Sequence, residues 1–172
     1  YAAENLILAG IENKIHSGHL NSLLGGMRNE IDNGSYNFIC GGYENSIKSL
    51  DVAKPSIDNT ILGGTSISLG EGSNFNRIFG SHVTIADDKI GNLVLTDYDS
   101  DGSKAITINS HRNFHLRFAN GIYLYTDQAM STGVKFVSGG GGWESVSSKT
   151  KKENFTPVSF QDLFDKYQNM KL

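Results

Sequence analysis

Asn37-Phe-Ile-Cys-Gly-Gly42 is one copy of a unit that recurs through the first half of the chain. Asn5-Leu-Ile-Leu-Ala-Gly10, Asn21-Ser-Leu-Leu-Gly-Gly26, Asn59-Thr-Ile-Leu-Gly-Gly64 and Asn76-Arg-Ile-Phe-Gly-Ser81 are the others, and the five starts lie 16, 16, 22 and 17 residues apart. A half-unit follows each of the first three, as Asn13-Lys-Ile15, Asn29-Glu-Ile31 and Asn45-Ser-Ile47, with Gly18 and Gly34 closing the first two. Each repeat therefore reads as two short strands and two turns. Strands this short cannot bury an apolar face alone, whereas stacked copies share a continuous interior.

Glycine supplies the positive φ that the corners need, and asparagine tolerates it. Parallel stacking also sets equivalent side chains above one another. On this reading Leu8, Leu24, Cys40, Leu62 and Phe79 form an inward column, and Cys40 is a small apolar packing residue rather than a nucleophile. The extra residues Ser49-Leu-Asp-Val-Ala-Lys-Pro-Ser56 fit a loop bulging from one repeat, which is where a stacked fold most cheaply places a binding surface.

From Ala86 the repeat is lost and alternation takes over. Leu93-Val-Leu-Thr96, Ala105-Ile-Thr-Ile-Asn109, Phe114-His-Leu-Arg-Phe118, Gly121-Ile-Tyr-Leu-Tyr-Thr126 and Val134-Lys-Phe-Val137 read as five strands separated by Gly, Asn and Asp turns. One small meander of this length leaves edges and an apolar face open, and three chains wrapped together close both. The last segment, from Pro157 to Met170, carries Ser159 as an N-cap ahead of Phe160, Leu163, Phe164 and Tyr167 at helical spacing, so it reads as one amphipathic helix.

Composition narrows the function classes. The 172 residues include 20 Gly and only 2 Pro, with 38% hydrophobic and 19% charged residues. A net charge of -3, with basic residues clustered only at 149 to 152, gives no reason to expect a nucleic acid partner. A single cysteine excludes an internal disulfide framework. No apolar run approaches a membrane span and no signal peptide is evident, so membrane insertion is not expected. The chain opens on Tyr1 and closes on Leu172 inside the helical pattern, which reads as a fragment of a longer protein.

Several stretches invite a chemical reading. Asp97-Tyr-Asp99-Ser-Asp101-Gly102 has the opening spacing of a calcium loop, but Ile108 stands where a bidentate Glu is needed, and a hairpin turn accounts for the same residues. His16, His19, His82, His111 and His115 lack Cys or carboxylate partners at metal-ligand spacing and read as surface residues. The Gly139 to Gly142 run lacks a following Lys-Ser/Thr and reads as a flexible crossing, not a phosphate cradle. Asn33-Gly-Ser35 and Asn154-Phe-Thr156 are glycosylation sequons by pattern, relevant only in a eukaryotic secretory setting. No cofactor is expected.

The junction Trp143-Glu-Ser-Val-Ser147-Ser-Lys149-Thr-Lys-Lys152-Glu153-Asn154 joins the β pattern to a charged segment. It resembles the opening of the intramolecular chaperone of endosialidase family, which follows a tryptophan and a few small residues with Ser-Asp-Arg-x-x-Lys-Glu-Asn. Ser147, Lys152, Glu153 and Asn154 match and Lys149 replaces Arg, while Ser148 stands where Asp is usual and Lys151 where an apolar residue is common. The resemblance implies trimerisation, assisted folding of a β-rich fibre, and self-cleavage of the Val146-Ser147 bond by Ser147 and Lys152. The chemistry is consistent by itself: a serine hydroxyl needs a base, and the crowding of Lys149, Lys151 and Lys152 favours a neutral amine on one of them. A solvated basic linker is the reading from charge pattern alone, and the flanking glycine-rich β segment with Trp143 favours the other.

Residues 5 to 86 resemble the head of trimeric autotransporter adhesins, in which an Asn-x-hydrophobic-hydrophobic-Gly-Gly unit builds a left-handed parallel β-roll of somewhat shorter period. Phe114, Arg117, Ala119, Gly121 and Tyr125-Thr126 resemble the connector that precedes the chaperone in tail-fibre proteins, with Asn120 in place of a usual glycine. Together these imply an all-β fold: a left-handed parallel β-roll or β-solenoid head over 1–86, a β-rich trimeric connector over 87–146, and the start of a chaperone domain with a short C-terminal helix over 147–172.

The expected function is that of a homotrimeric, extracellular fibre tip on a phage or phage-like injection particle, recognising a cell-surface glycan or protein receptor and joined to fibre or baseplate proteins of its particle. A bacterial cell-surface trimeric adhesin and a glycan-degrading tail spike are the alternatives. Against the spike, no carboxylate pair falls at matching positions of the repeats. Any enzymatic act is expected to be a single self-cleavage per chain.

Overall fold

A computed structural model describes residues 4–98, 105–146 and 159–169. The chain divides into two compact units, Tyr1–Ala119 and Asn120–Leu172. Among the described residues it is mostly β, built of many short strands largely in parallel sheets, with one short helix.

The first unit holds three parallel sheets that the chain visits in turn. The largest has seven strands, Leu6–Ile7, Ser22–Leu23, Phe38–Ile39, Thr60–Ile61, Arg77–Phe79, Leu93–Thr96 and Phe114–Arg117. The second has six, Lys14–Ile15, Glu30–Ile31, Ser46–Ile47, Ser68–Leu69, Val83–Ile85 and Ile106–Ile108. The third is formed by Gly18–His19, Gly34–Ser35 and Ser56–Ile57. Each strand pairs with its counterpart one repeat later, as in Ile7 with Leu23, Leu23 with Ile39 and Ile39 with Ile61.

The core fills the space between the two larger sheets. Leu23, Ile39, Ile61, Ile78 and Val94 come from the seven-stranded sheet and Ile31, Ile47, Leu69 and Ile85 from the six-stranded one, all with no exposed surface. This overturns the expected inward column. Leu8, Cys40, Leu62 and Phe79 are exposed and Leu24 is half-buried, because successive side chains of a strand point to opposite faces. The third residue of each unit faces in, so the fourth must face out.

Asparagine does something other than turn the chain. The residue before it takes the positive φ: Leu20 (55°), Tyr36 (59°), Asp58 (54°), Phe75 (58°) and Gly91 (71°) precede Asn21, Asn37, Asn59, Asn76 and Asn92. The asparagines themselves are buried and form a ladder. Asn5 Oδ1 accepts from Asn21 N at 3.0 Å, and the same bond recurs from Asn21 to Asn37, Asn37 to Asn59, Asn59 to Asn76 and Asn76 to Asn92 at 3.0 Å. Asn113 N continues it at 3.2 Å. Each Nδ2 also donates to a backbone carbonyl of the neighbouring pass, for example Asn37 to Ser56 O and Asn21 to Gly34 O, both at 2.8 Å. A second, shorter ladder runs Asn13, Asn29, Asn45 and ends at Ile67 N.

Parallel pairing does not stop at Ala86. Leu93–Thr96, Ile106–Ile108 and Phe114–Arg117 extend the two larger sheets, where a meander was expected. The glycine pair is gone from these passes, yet Asn92 and Asn113 keep the ladder in phase. Thr96 takes over at the corner, its Oγ1 accepting from Ser81 N at 2.9 Å and donating to Ser81 O at 3.1 Å.

In the second unit, Ile122–Tyr125, Gly133–Phe136 and Glu144–Val146 form an antiparallel sheet. Asp127 organises the first turn by accepting from Ser131 N at 2.9 Å and Thr132 N at 2.7 Å. The glycine run makes the second turn, with Gly139 at φ 73° and Gly140 N donating to Val137 O. That is a hairpin connection rather than a loose crossing. The helix spans Phe160–Gln168, and Ser159 Oγ caps it by accepting from Asp162 N at 3.0 Å, as the sequence predicts.

Candidate functional site

One outward row of the seven-stranded sheet is apolar along its whole length, beside another row that carries Ser22, Thr60 and the Arg77–Asp58 ion pair at 2.9 Å. Leu8, Leu24, Cys40, Leu62, Phe79, Leu95 and Leu116 succeed one another in the strand register, and Leu8, Leu62 and Phe79 are 67%, 40% and 39% exposed. A second row lies at the adjoining corner, where Ile11, Met27, Tyr43 and Thr65 are joined by single parallel bridges. Sequence reasoning placed the first row inside. The signal that could have moved it was the choice of residues: the buried position holds only Leu, Ile and Val, whereas this one accepts Cys and Phe.

The six-stranded sheet presents the opposite character. Glu30 meets His16 at 2.6 Å and Lys48 at 3.9 Å. At its corner Arg28 bridges Glu12 at 2.8 Å and Glu44 at 3.3 Å, and its guanidinium lies 5.9 Å from the Tyr43 ring centroid. The hydrogen bond that Arg28 donates to Glu12, then the one it donates to Glu44, holds its pKa above the ordinary value. Exposed pairs of this kind contribute little to stability.

The long pass between Asn37 and Asn59 carries the expected loop, and it is tied down. Ser49 is fully buried, its Oγ donating to Asp51 O at 3.1 Å and to Lys54 O. Ala53 N donates to Asp51 Oδ1 at 2.8 Å, Leu50 N to Glu71 Oε1 at 3.2 Å, and Gly72 N to Lys54 O at 3.0 Å. Lys54 reaches Asp88 at 3.1 Å, and that hydrogen bond raises its pKa. Leu50 and Val52, at the tip, are 78% and 82% exposed.

Of the residues assigned to self-cleavage, Ser147 and Lys152 lie outside the described residues. Val146, the residue before the scissile bond, ends the Glu144–Val146 strand, where it pairs with Gly133. Lys135 and Glu144 lie opposite each other at 3.4 Å, and Trp143 packs edge-on against Phe136 with centroids 5.7 Å apart. No described residue of this unit is buried. The sheet leaves Leu124 and Val134 exposed, and the helix leaves all four of its apolar positions exposed.

Among the calcium candidates, Asp99 and Asp101 lie outside the described residues. Asp97 is already engaged, with Arg117 at 3.4 Å and Ala119 N donating to its Oδ2 at 2.7 Å. It follows the strand Leu93–Thr96 of the seven-stranded sheet, and the next described strand, Ile106–Ile108, belongs to the six-stranded sheet, so these two strands do not form the expected hairpin. Among the described residues no group of three or more His, Cys, Asp and Glu could hold a metal ion, and no helix is long and apolar enough to cross a membrane. Comparison with protein-family models, with curated proteins and with solved structures gives no match.

Proposed function

We propose that the first unit is a left-handed β-roll, a solenoid of repeats, within an extracellular homotrimeric fibre tip that recognises a cell surface. On this reading the second unit belongs to the connector, and the chain is released from a chaperone segment by Ser147 and Lys152 cutting the Val146-Ser147 bond. The particle would be a phage tail fibre or a phage-like injection device.

The observation that supports the reading is the continuous apolar row from Leu8 to Leu116 on the outward side of the seven-stranded sheet. Contiguous exposed apolar surface on this scale marks an interaction site. An occupant that fits the whole stripe must itself be apolar and repeat at the strand spacing of about 4.8 Å. A further copy of the same stripe meets both conditions. The second unit points the same way, since a three-stranded sheet without a buried residue is marginal alone and gains its stability from a cover.

Two measurements test this. Light scattering on the chain is expected to give three copies, and Leu62→Lys, which puts a charge in the middle of the stripe, is expected to give one. A wild-type chain that stays monomeric at tens of micromolar removes the trimer. Denaturing intact mass of the full-length parent is expected to show a break between Val146 and Ser147 that Ser147→Ala and Lys152→Ala abolish. An uncut wild type removes the cleavage step alone.

A further inference from the structure

Two asparagines are followed directly by glycine, Asn33-Gly34 and Asn120-Gly121. In such a pair the glycine N–H can swing onto the asparagine side-chain amide, because glycine has no Cβ to obstruct the approach and leaves the backbone free to turn. The fold puts the two pairs in opposite settings. Gly34 is paired in register with Gly18 on one side and Ser56 on the other, so tightly that a Cβ there would collide with Ser56 O and the Asn37 amide. The Asn33 N–H is held by Ser17 Oγ at 3.1 Å, and its Nδ2 has no contact with solvent. Neither a change of backbone angle nor a water molecule is accommodated at that side chain.

Asn120 is the reverse case. It is exposed, in a turn with Ala119, and no hydrogen bond engages its side chain or the Gly121 N–H. The turn is fixed on either side of it. Ala119 N donates to Asp97 Oδ2 at 2.7 Å, and Gly121 sits at a φ of 104°, where a Cβ would lie 2.5 Å from Phe136 O. The backbone therefore requires glycine at 121, and in meeting that requirement it leaves the amide of Asn120 without steric protection.

We infer that Asn120 is a self-modification site, converted in the folded chain to aspartate and isoaspartate, and that the stack shields Asn33 from the same reaction. Gly121 N gives its proton to hydroxide and attacks Asn120 Cγ. The new N–Cγ bond closes a five-membered imide as the Cγ–Nδ2 bond breaks and ammonia leaves. Water then opens the ring, at Cγ to give aspartate or at the main-chain carbonyl to give isoaspartate. One water is consumed, one ammonia is released and nothing is oxidised. The product carries a new negative charge next to the residue that Asp97 holds, and its isoaspartyl form adds one backbone atom ahead of the strand Ile122–Tyr125, whose first residue pairs with Phe136. Charge and length thus change with time at the entrance to the antiparallel sheet.

The site stands apart from the adhesive reading and is tested without it. The full chain is kept in warm, mildly alkaline buffer made with oxygen-18 water, and digests are followed by peptide mass. The peptide holding Asn120 is expected to exchange ammonia for labelled water. A protease that cuts before aspartate but not isoaspartate separates the two products. The peptide holding Asn33 is expected to react at least about tenfold more slowly, since it must wait for the stack to open locally. In urea the two peptides are expected to react at comparable rates, which assigns the difference to the fold. Asn120→Gln exchanges one exposed amide for another that closes the ring poorly, and its peptide is expected to keep its mass. Equal rates in the folded chain, an Asn120 peptide that reacts in urea but not when folded, a lag at Asn33 that persists in urea, or label entering the Asn120→Gln peptide as fast as wild type overturns the inference.

Discussion

Replacing Asn59 by alanine isolates what the ladder contributes. The Asn59 side chain is fully buried and makes four bonds: Oδ1 accepts from Asn76 N at 3.0 Å and Nδ2 at 3.1 Å, and Nδ2 donates to Asn37 Oδ1 at 3.0 Å and to Ser73 O at 2.6 Å. Two of the partners keep a bond after truncation, because Asn37 Oδ1 still receives Asn59 N and Asn76 Nδ2 still reaches Lys89 O. The other two, Asn76 N–H and Ser73 O, are left unpaired in the interior. At about 1–3 kcal/mol for each stranded group, Asn59→Ala destabilises the unit by about 4 kcal/mol.

With a urea dependence of about 2 kcal/mol per molar, that is a midpoint lowered by about 2 M in far-UV circular dichroism. Asn5 provides the internal control. It makes the same bonds to Asn21 but sits half-buried on the first pass, where water can replace it, so Asn5→Ala is expected to cost about 1 kcal/mol. If the two variants lose the same stability, or Asn59→Ala loses less than about 1 kcal/mol, the ladder is not a buried cooperative network and the reasoning fails.

Two further outcomes follow from the packing. Ile61→Ala removes a fully buried side chain and is expected to cost about 2–5 kcal/mol, whereas Leu62→Ser, compared by urea titration at concentrations dilute enough for single chains, is expected to stay within about 1 kcal/mol. Equal losses would return Leu62 to the interior. Gly63→Ala and Gly64→Ala distinguish strain from collision: at Gly63 the new methyl meets only Cys40 O at 4.0 Å and the cost is the positive φ of 74°, about 1–2 kcal/mol. At Gly64 it would lie 1.6 Å from Gly80 O, and a loss on the order of 3 kcal/mol or more is expected from the same titration.

How much of this was legible beforehand can be judged from particular residues. The spacing of Asn5, Asn21, Asn37, Asn59 and Asn76 is visible in the sequence, and it carries both the stacking and the tolerance of the long pass. Which of two adjacent apolar residues faces inward was misread, since Ile39 and Cys40 are both apolar and periodicity in a two-residue strand cannot choose between them. The stack runs on past Ala86, where the glycine pair ends, because the physical constraint is the asparagine bond that Asn92 and Asn113 preserve. The Ser159 cap was legible because a capping hydroxyl and its acceptor geometry are local.

The arrangement of strands also fixes how the first unit would carry load. Its strands run across the stacking direction, so tension along that direction stretches the hydrogen bonds end-on and meets them one strand pair at a time instead of in concert. A pass of sixteen residues would then pay out about 50 Å of extended chain as it peels away. The asparagine ladders act as extra rungs along the same line, raising the force at each step without removing the steps. A stacked unit of this design yields progressively and can close again pass by pass, each intact pass presenting the row of acceptors on which the next one rewinds.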